Sequence, residues 1–390
     1  MRKHLIKFTG SRYVLSLLMA FAPAMILAQN AARFKENRVG SDGASTVFSY
    51  FNTTPESPDG KTIAYLRCIV EPTPEKGRVP AALWVCDRDL KQHRKVADIA
   101  RISVHDGAEA QWVDNDRIAL FDNMKLRLID IRSGKELLKK TLKAAEMGHE
   151  SFNGRVLFSI CEDKVPGEPA IYELDCNTQE VRTVLPLKNL ASLPIPAYMN
   201  KDSLYPLMKW QLSHLQYSPD GKKISFRIEM GPKGNNILLG FCNIDGSDVK
   251  TIMKPLHFLW YDNESIVGHR SNEADGKRPA EPEKRYSLTR WDLDGKIVQE
   301  MMTPLGNHLA ISPDRTLFVS ETFYKSNPVI VTLYSANGEA PREICRFDPF
   351  DITWNRKFHV NPSFSRDGKR IYYSRPVNEK YNGTFFIEIK

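Results

Sequence analysis

The chain has 390 residues and a formal net charge of +8, from 55 Lys and Arg against 47 Asp and Glu. Residues 1–28 carry four Lys and Arg and no Asp or Glu, so the charge of the remainder is +4. This modest excess, without a run of Lys or Arg that could follow a phosphate backbone, argues against nucleic acid as a partner. The glycine patterns of nucleotide-binding loops and the Gly-x-Ser-x-Gly nucleophile elbow do not occur. Nucleotide chemistry and an α/β-hydrolase are therefore disfavoured.

The N-terminus has the pattern of a secretory signal. Four Lys and Arg residues precede a short apolar run from Tyr13 to Leu27, which is followed by Ala28 and Gln29. A basic head, a short apolar core and a small residue at the cut are typical of a cleaved signal peptide. The run is too short for a comfortable membrane span. We predict a signal peptide over 1–28, and a periplasmic or secreted protein without a membrane span over 29–390.

A tight turn recurs along the chain ahead of alternating apolar strands. Ser-Pro-Asp-Gly-Lys begins at Ser57 and at Ser218, Ser-Pro-Asp begins at Ser312, and Ser-Arg-Asp-Gly-Lys begins at Ser365. Weaker copies of the turn occur in Val113–Asp116, Phe152–Gly154 and Tyr261–Glu264. Pro, Asp and Gly stand where turn dihedrals require them. The alternating residues that follow predict half-buried strands.

Each of these turns is followed by a second strand–turn–strand pattern, which gives seven units at a spacing of about 35–50 residues. Four strands per unit at this period predict an all-β, single-domain, seven-bladed β-propeller. The last unit stops after its third strand, so we expect a strand within Arg38–Phe51 to complete it and close the ring. The segments 142–150 and 187–209 are predicted to form short helical or irregular connections.

The six cysteines include no Cys-x-x-Cys pair. An even number in an exported protein could indicate disulfides. However, Cys161 and Cys176 would lie at opposite ends of one hairpin, and Cys68 and Cys86 at opposite ends of another. We therefore predict mostly free, buried thiols.

One repeat position carries polar side chains that should point to a comparable place in every blade. The residue four before the Ser-like turn position is, in order, Thr53, Glu109, Gly148, His214, His257, His308 and Asn361. Three consecutive blades thus supply histidine, and His359 lies on the same strand face as Asn361. Convergent imidazoles and amides indicate a metal or acid–base site. The alternative, that these histidines only bond neighbouring loops, stays open.

The other histidines receive different predictions. His149 is one residue out of register with this position and, like His105 and His269, is predicted to be a loop residue. His93 is predicted to be a solvated strand residue.

The chain resembles oligogalacturonate lyases in four segments: NHLAISPDRTLFVSETF, HFLWYDNESI, HVNPSFSRDGKRIYYSR with TFFIEI, and RVGSDGASTVFSYFNTTPESPDGK. The resemblance covers most of the chain, but is slight in blades two and three. TolB-type propellers share the Ser-Pro-Asp-Gly-Lys turn. The resemblance implies a seven-bladed propeller that cleaves acidic pectin fragments by β-elimination with a divalent cation, often manganese.

Residue roles follow from the same resemblance. It implies that His257 is catalytic and that His308 is a metal ligand. His359 and Asn361 occupy the ligand-bearing segment of the last blade, although histidine is more usual at Asn361, and His214 is added to this metal set. Arg356 and Asn52 are predicted to contact an acidic oligosaccharide, and the protein is expected to be a monomer.

The chain departs from the lyase pattern in blade four. Where those lyases have His-Glu-Gly-Pro and then a catalytic arginine, this chain has Ile228 in place of the histidine and Asn236 in place of the arginine. Arg227 could replace that arginine, or could be a structural cation paired with Glu229. The departure leaves a second hypothesis open: a non-catalytic TolB-like periplasmic propeller that binds a glycan or a protein at the channel mouth.

Overall fold

A computed structural model of the chain describes residues 34–40, 43–73, 76–190, 211–230, 236–252, 257–272, 280–281, 284–302, 306–323, 326–348 and 359–389. The predicted signal peptide at 1–28, Arg356 and most of the segment 187–209 lie outside these residues. The described part forms seven four-stranded antiparallel sheets, which confirms the seven-bladed propeller.

The recurring turn folds in the same way in four blades. In the copy at Ser57, the Ser57 hydroxyl donates to Asp59 Oδ1 over 2.7 Å, and the backbone N–H of Thr62 donates to Ser57 Oγ over 3.0 Å. Equivalent pairs of bonds form in the copies at Ser218, Ser312 and Ser365. These side chains satisfy backbone groups at the point where the next strand begins, which is why the motif marks each blade.

The first three blades follow one another along the chain. Blade one contains β2 (Thr46–Val47), β3 (Thr62–Cys68), β4 (Arg78–Asp87) and β5 (Arg94–Ser103). Blade two contains β6 (Gln111–Trp112), β7 (Arg117–Asp122), β8 (Lys125–Asp130) and β9 (Leu142–Lys143). Blade three contains β10 (Glu146–Met147), β11 (Arg155–Ile160), β12 (Ala170–Asp175) and β13 (Val181–Pro186).

The next three blades have the same order. Blade four contains β14 (Gln211–Tyr217), β15 (Lys223–Met230), β16 (Asn236–Asn243) and β17 (Lys250–Ile252). Blade five contains β18 (Phe258–Asp262), β19 (Ser265–Ser271), β20 (Tyr286–Asp292) and β21 (Ile297–Met302). Blade six contains β22 (Leu309–Ile311), β23 (Leu317–Glu321), β24 (Val329–Ser335) and β25 (Arg342–Phe347).

The seventh blade closes the ring. It contains β26 (Ser363–Phe364), β27 (Arg370–Pro376) and β28 (Asn382–Glu388), and its outer strand is β1 (Glu36–Val39) from the N-terminal side. This confirms closure by an N-terminal strand, which starts slightly before the expected range. Arg375 fastens the closure by donating from Nη2 to Glu36 Oε2 over 2.6 Å, and the Tyr373 hydroxyl donates to Glu36 Oε1 over 2.5 Å.

Two further expectations can be compared with the structure. The segment 142–150, expected to be helical or irregular, instead contributes the short strands β9 and β10, because its backbone groups pair with those of β8 and β11. A 3₁₀ helix covers Leu187–Leu190. The six cysteines are free, five of them buried, as predicted. Within the described ranges, no helix has the length and apolar character needed to cross a membrane.

The first strands of neighbouring blades contact one another and surround a central channel. Contacts of this kind join β10 to β14, β14 to β18, β18 to β22 and β22 to β26. Residues at the start of these strands therefore face a common space, whichever blade they come from. The apolar core lies outside this ring, between successive sheets.

Candidate functional site

The backbone turns the repeat position toward the channel through a left-handed conformation. Glu109, His214 and Asn361 have φ angles of +46°, +54° and +47°. At His214 the pairing of β14 with β15 shifts register between Ser213 and Gln216, as a β-bulge does. Bulges re-aim side chains next to functional sites, and polar residues tolerate this conformation better than β-branched ones. The irregularity recurs in blades two, four and seven.

The histidines at this position form a continuous cluster. Ring centroids are 5.8 Å apart for His214 and His257, and 4.8 Å apart for His257 and His308. His359 lies 4.8 Å from His308 in the same way. The propeller therefore brings together histidines separated by up to 145 positions in the sequence, from His214 to His359. We call these four side chains the histidine cluster.

Three histidines that we predicted to be loop residues also contact this cluster. The His105 ring is 3.7 Å from His359, the His149 ring is 5.4 Å from His214, and the His269 ring is 5.4 Å from His257. His269 lies within β19, so its assignment to a loop was wrong. His105 and His149 do lie in turns, but their rings face the channel. His93 is exposed just ahead of β5, consistent with a solvated position.

An aromatic pair fills the middle of the channel, and sequence reasoning missed it. The Phe51 ring has no solvent exposure and packs edge-on against His149 and His257, at 5.0 and 4.8 Å. It also lies 5.2 Å from the His308 ring. Tyr50 packs beside Phe51 at 4.6 Å. The available signal was the pair Tyr50-Phe51, which follows β2 and comes just before Thr53, the repeat position at which other blades carry histidine.

Asn52 follows this aromatic pair and lines a different cavity. That cavity has a volume of about 360 Å³, is bordered by Glu150, Trp260 and Arg366, and contains no member of the histidine cluster. Asn52 Nδ2 donates to Gln216 Oε1 over 3.4 Å. The structure thus separates Asn52 from the histidines, and its contact with substrate stays a prediction.

One ring nitrogen of His257 is fixed by a hydrogen bond. Its Nδ1 lies 3.0 Å from the carbonyl oxygen of Asn307. A carbonyl oxygen only accepts, so Nδ1 carries the proton and Nε2 is the basic nitrogen of the neutral ring. His269 supports this arrangement, because its backbone N–H donates to the His257 carbonyl over 3.1 Å and its Nε2 lies 2.8 Å from the carbonyl oxygen of Gly306.

His308 sits between a buried carboxylate and a second imidazole. Its Nδ1 lies 2.5 Å from Glu321 Oε1, and its Nε2 lies 3.2 Å from His359 Nδ1. Gly306 makes room for this arrangement, since a Cβ there would stand 1.8 Å from the Glu321 carbonyl oxygen. A carboxylate bonded to one ring nitrogen is the usual outer-shell partner of a metal-binding histidine.

The donor set at His308 suits a divalent transition metal. Two nitrogen ligands at about 2.1 Å from one ion lie roughly 3.0–3.4 Å apart, and His308 Nε2 and His359 Nδ1 are 3.2 Å apart. Asn361 Nδ2 donates to the His105 carbonyl, whereas its buried Oδ1 has no hydrogen-bond partner among the described residues. Two imidazoles and one amide oxygen without a partner are ligand types that a divalent transition metal accepts. Within the same residues, no three His, Cys, Asp or Glu side chains form a metal-binding group.

His214 lies in blade four and is linked to this pair through the His257 ring. Its Nδ1 is 3.6 Å from Glu146 Oε1, which is too long for a hydrogen bond. Arg227 pairs across the two strands with Ser213 and donates from Nη2 to Glu229 Oε1 over 2.6 Å. The structure shows the pairing of Arg227 with Glu229, and Arg227 also lines a cavity with Tyr50, His149 and His214. Its replacement of the catalytic arginine stays a prediction.

Burial sets the charge state of the cluster. Desolvation lowers the pKa of His214, His257, His308 and His359 well below the ordinary value, and neighbouring imidazoles or Arg227 lower it further. Burial likewise lowers the pKa of His149 to about 4. Burial raises the pKa of Glu321 well above its usual range. The imidazoles are therefore neutral near pH 7, the state in which they act as bases and metal ligands.

The fold is similar to that of several proteins with solved structures. An oligogalacturonate lyase in complex with manganese has a TM-score of 0.64 at 16% identity, with 92% of this chain and 93% of that chain covered. An oligogalacturonate lyase from Vibrio parahaemolyticus has a TM-score of 0.64 at 14% identity, with 93% and 95% covered. TolB from Acinetobacter baumannii has a TM-score of 0.42 at 18% identity, with 72% and 62% covered.

No family model matches the sequence, and no curated protein matches it either. At these identities the likeness to solved structures establishes the seven-bladed propeller and nothing finer. The function must be argued from the channel itself.

Proposed function

We propose that the protein is an exported lyase that cleaves uronate-containing oligosaccharides by β-elimination, assisted by a divalent metal ion. The observation that supports this most is the state of His257. Its protonated Nδ1 donates to the Asn307 carbonyl, which leaves Nε2 as the basic nitrogen. The centroid of the His257 ring lies 4.8 Å from that of His308, whose surroundings suit a metal ion. A positioned base next to a charge-neutralising centre is what proton abstraction beside a carboxylate requires.

In this reaction His257 Nε2 takes the proton from the ring carbon α to the uronate carboxylate. The electron pair forms the new carbon–carbon double bond as the glycosidic C–O bond at the β carbon breaks, and the protonated His257 then returns its proton to the leaving oxygen. A divalent cation held by His308, His359 and Asn361, manganese being our first choice, would neutralise the charge that develops on the carboxylate. Glu321 orients His308, and the Tyr50-Phe51 pair excludes water from this side of the channel.

Arg227 is the available cation for the carboxylate in blade four. It lies close enough to lower the pKa of His257 and His214, although desolvation is the larger cause in both. A substrate carboxylate would have to share Arg227 with Glu229, whereas an arginine without an acidic partner could bind the carboxylate alone. We therefore propose uronate-containing substrates in general and not only those of the pectin type. The predicted signal peptide would place the enzyme in the periplasm or outside the cell.

A second candidate function rests on the same arginine. Arg227 is engaged by Glu229 and Ser213, and Ile228 stands where the lyase pattern has histidine. Such a channel could bind a glycan or a protein at its mouth without cleaving it. This candidate predicts that His257→Gln leaves ligand affinity unchanged and that no substrate is turned over.

The test is an activity assay on a panel of uronate oligosaccharides, with pectic fragments included, in the presence of Mn²⁺. An unsaturated uronide product absorbs in the ultraviolet, so we expect absorbance to rise with the wild-type protein and not with His257→Gln. A panel without any increase, from folded protein that binds Mn²⁺, would refute the lyase and favour the binding function.

A further inference from the structure

A second, acidic cavity lies beside the histidine cluster, on the side of blades one to four. It has a volume of about 190 Å³, room for roughly six water molecules. It is lined by Ser49, Tyr50, Thr53, His105, Asp106, Glu109, Glu146, Met147, Gly148, His149, His214 and Arg227. Asp106 and His105 keep 30% and 38% of their side chains exposed, so the cavity is open to solvent at this end. We call it the acidic cavity.

The acidic side chains of this cavity outnumber the cations among its lining residues. Burial, and next to it the neighbouring acidic groups, raises the pKa of Glu109 and Asp106. Glu109 Oε2 accepts from the Met147 backbone N–H over 2.6 Å, and Glu146 Oε1 accepts from the His214 backbone N–H over 2.7 Å. Asp106 Oδ1 lies 3.2 Å from His105 Nε2.

The one arginine of the lining, Arg227, is engaged by Glu229. Among the described residues that line the cavity, three carboxylates thus meet one arginine that already has an acidic partner.

Two buried imidazoles border the cavity without hydrogen-bond partners. The His149 and His214 residues are only 5% and 3% exposed. Neither nitrogen of either ring makes a hydrogen bond within the described residues. Buried polar groups are nearly always satisfied, so an exception of this kind points to a missing partner. Carboxylates and neutral imidazoles together offer acceptors, which a donor-rich ligand would satisfy.

The chemistry of the lining decides among ligand classes. An anionic group in this cavity would meet three acidic side chains and, besides them, only Arg227, which the proposed uronate at the histidine cluster already uses. This disfavours a second uronate in the cavity. A protonated amine on a sugar ring has three N–H donors and a positive charge, and the ring is broad enough to reach several acceptors at once.

We propose that the acidic cavity is a subsite for a sugar ring that carries a free ammonium group. The inference rests on the proposed function for its place in the reaction: an amino sugar in the acidic cavity would lie next to the uronate at the histidine cluster. The substrate class would then be a glycan that combines uronate with an unsubstituted amino sugar. Pectin, which offers a uronate at both positions, would fit less well.

The experiment measures binding of three methyl glycosides to the full-length, metal-free protein near neutral pH by calorimetry. The probes are methyl glucosaminide, methyl glucoside and methyl galacturonide. Because charge-assisted hydrogen bonds contribute about 1.5–3 kcal/mol, we expect the glucosaminide to bind at least about tenfold more tightly than the glucoside. We expect the galacturonide to bind more weakly than either.

Glu146→Gln tests the location, since it keeps an acceptor for the His214 N–H and removes the charge. We expect it to abolish the preference for the glucosaminide, and Glu109→Gln serves as the second variant if Glu146→Gln unfolds. Glu264→Gln, an exposed carboxylate (77%) in blade five, is the matched control and should change nothing. Equal affinity for glucoside and glucosaminide, absence of glucosaminide binding, or a preference that survives both cavity variants would overturn the proposal.

This result is independent of catalysis. Binding is measured without metal and without turnover, so an inactive enzyme that still prefers the glucosaminide would refute the lyase and not the subsite. An active lyase without that preference would refute the subsite alone.

Discussion

The two sides of the channel share one backbone design and differ in chemistry. At the same repeat position, blades four to seven supply His214, His257, His308 and Asn361, whereas blades one to three supply Thr53, Glu109 and Gly148. The left-handed bend recurs on both sides, at Glu109 as well as at His214 and Asn361. The difference teaches that the propeller provides positions, and that the residues at those positions distinguish the histidine cluster from the acidic cavity, with His214 belonging to the cluster and also lining the cavity.

The largest effect should come from the base on the histidine side. We expect His257→Gln to lower the rate of uronide formation by about 10²–10⁴-fold, because it removes the group that takes the proton. Glutamine can still donate to the Asn307 carbonyl, so the melting temperature should change little. Rates are measured by ultraviolet absorbance, with His93→Gln as an exposed control. A rate within a few-fold of wild type would show that His257 is not the base.

The stability of the channel between the two sides should depend on Phe51. Phe51→Ala removes a fully buried ring from the centre of the channel, and such substitutions cost about 3–5 kcal/mol of unfolding free energy. Phe51→Leu keeps most of the volume and should cost less than about 1.5 kcal/mol. Urea unfolding of the two variants measures the difference. Equal stabilities would mean that the ring does not pack as described.

Metal affinity should belong to the histidine side and depend on Glu321. Glu321→Gln removes the charge that orients His308, and losses of this kind lower metal affinity by about 10–100-fold. Acidification should weaken Mn²⁺ binding as well, since the raised pKa of Glu321 means that its proton must leave before it can serve as a carboxylate for His308. Titration of Mn²⁺ at several pH values measures both effects. Affinity that is independent of pH would contradict this link.

The smallest effect should come from the hydrogen bonds of Glu36, which close the ring of blades and lie outside both sides of the channel. Glu36 is partly desolvated, which raises its pKa, but hydrogen bonds from Arg375 and Tyr373 outweigh this and leave the pKa below its usual value. A lowered folded-state pKa stabilises the fold above the unfolded value, and this contribution is lost as pH falls through the folded value. We expect Glu36→Gln to cost about 1–3 kcal/mol at pH 7 and less in acid. A loss of unfolding free energy that grew on acidification would contradict the lowered pKa of Glu36.

The repeat made the fold predictable from the sequence. Each copy of the turn, such as that at Ser57, carries its own hydrogen bonds, so a local pattern reports a local structure. The missing fourth strand of the last unit predicted the closing strand for the same reason. The strands of segment 142–150 were not predicted, because two-residue strands such as β9 and β10 have too few residues to show alternation of apolar and polar side chains.

The site was predictable only where it followed the repeat. His257 and His308 occupy the same position in successive blades, so topology alone brings them together. His269 lies on a neighbouring strand and His105 in a turn between blades one and two, and no spacing rule relates them to the cluster. Phe51 was missed because the backbone at Asn52 adopts a φ of +57°, and a local bend of this kind leaves no periodic signal.

The most direct test of the two-sided channel is a calorimetric titration of Mn²⁺ into the purified full-length protein and two variants. We predict one ion per chain in the wild type, no binding in His308→Ala, and unchanged binding in Glu146→Gln. Loss of the ion in Glu146→Gln with retention in His308→Ala would place the metal on the acidic side and contradict the account. So would a wild-type protein that binds no Mn²⁺.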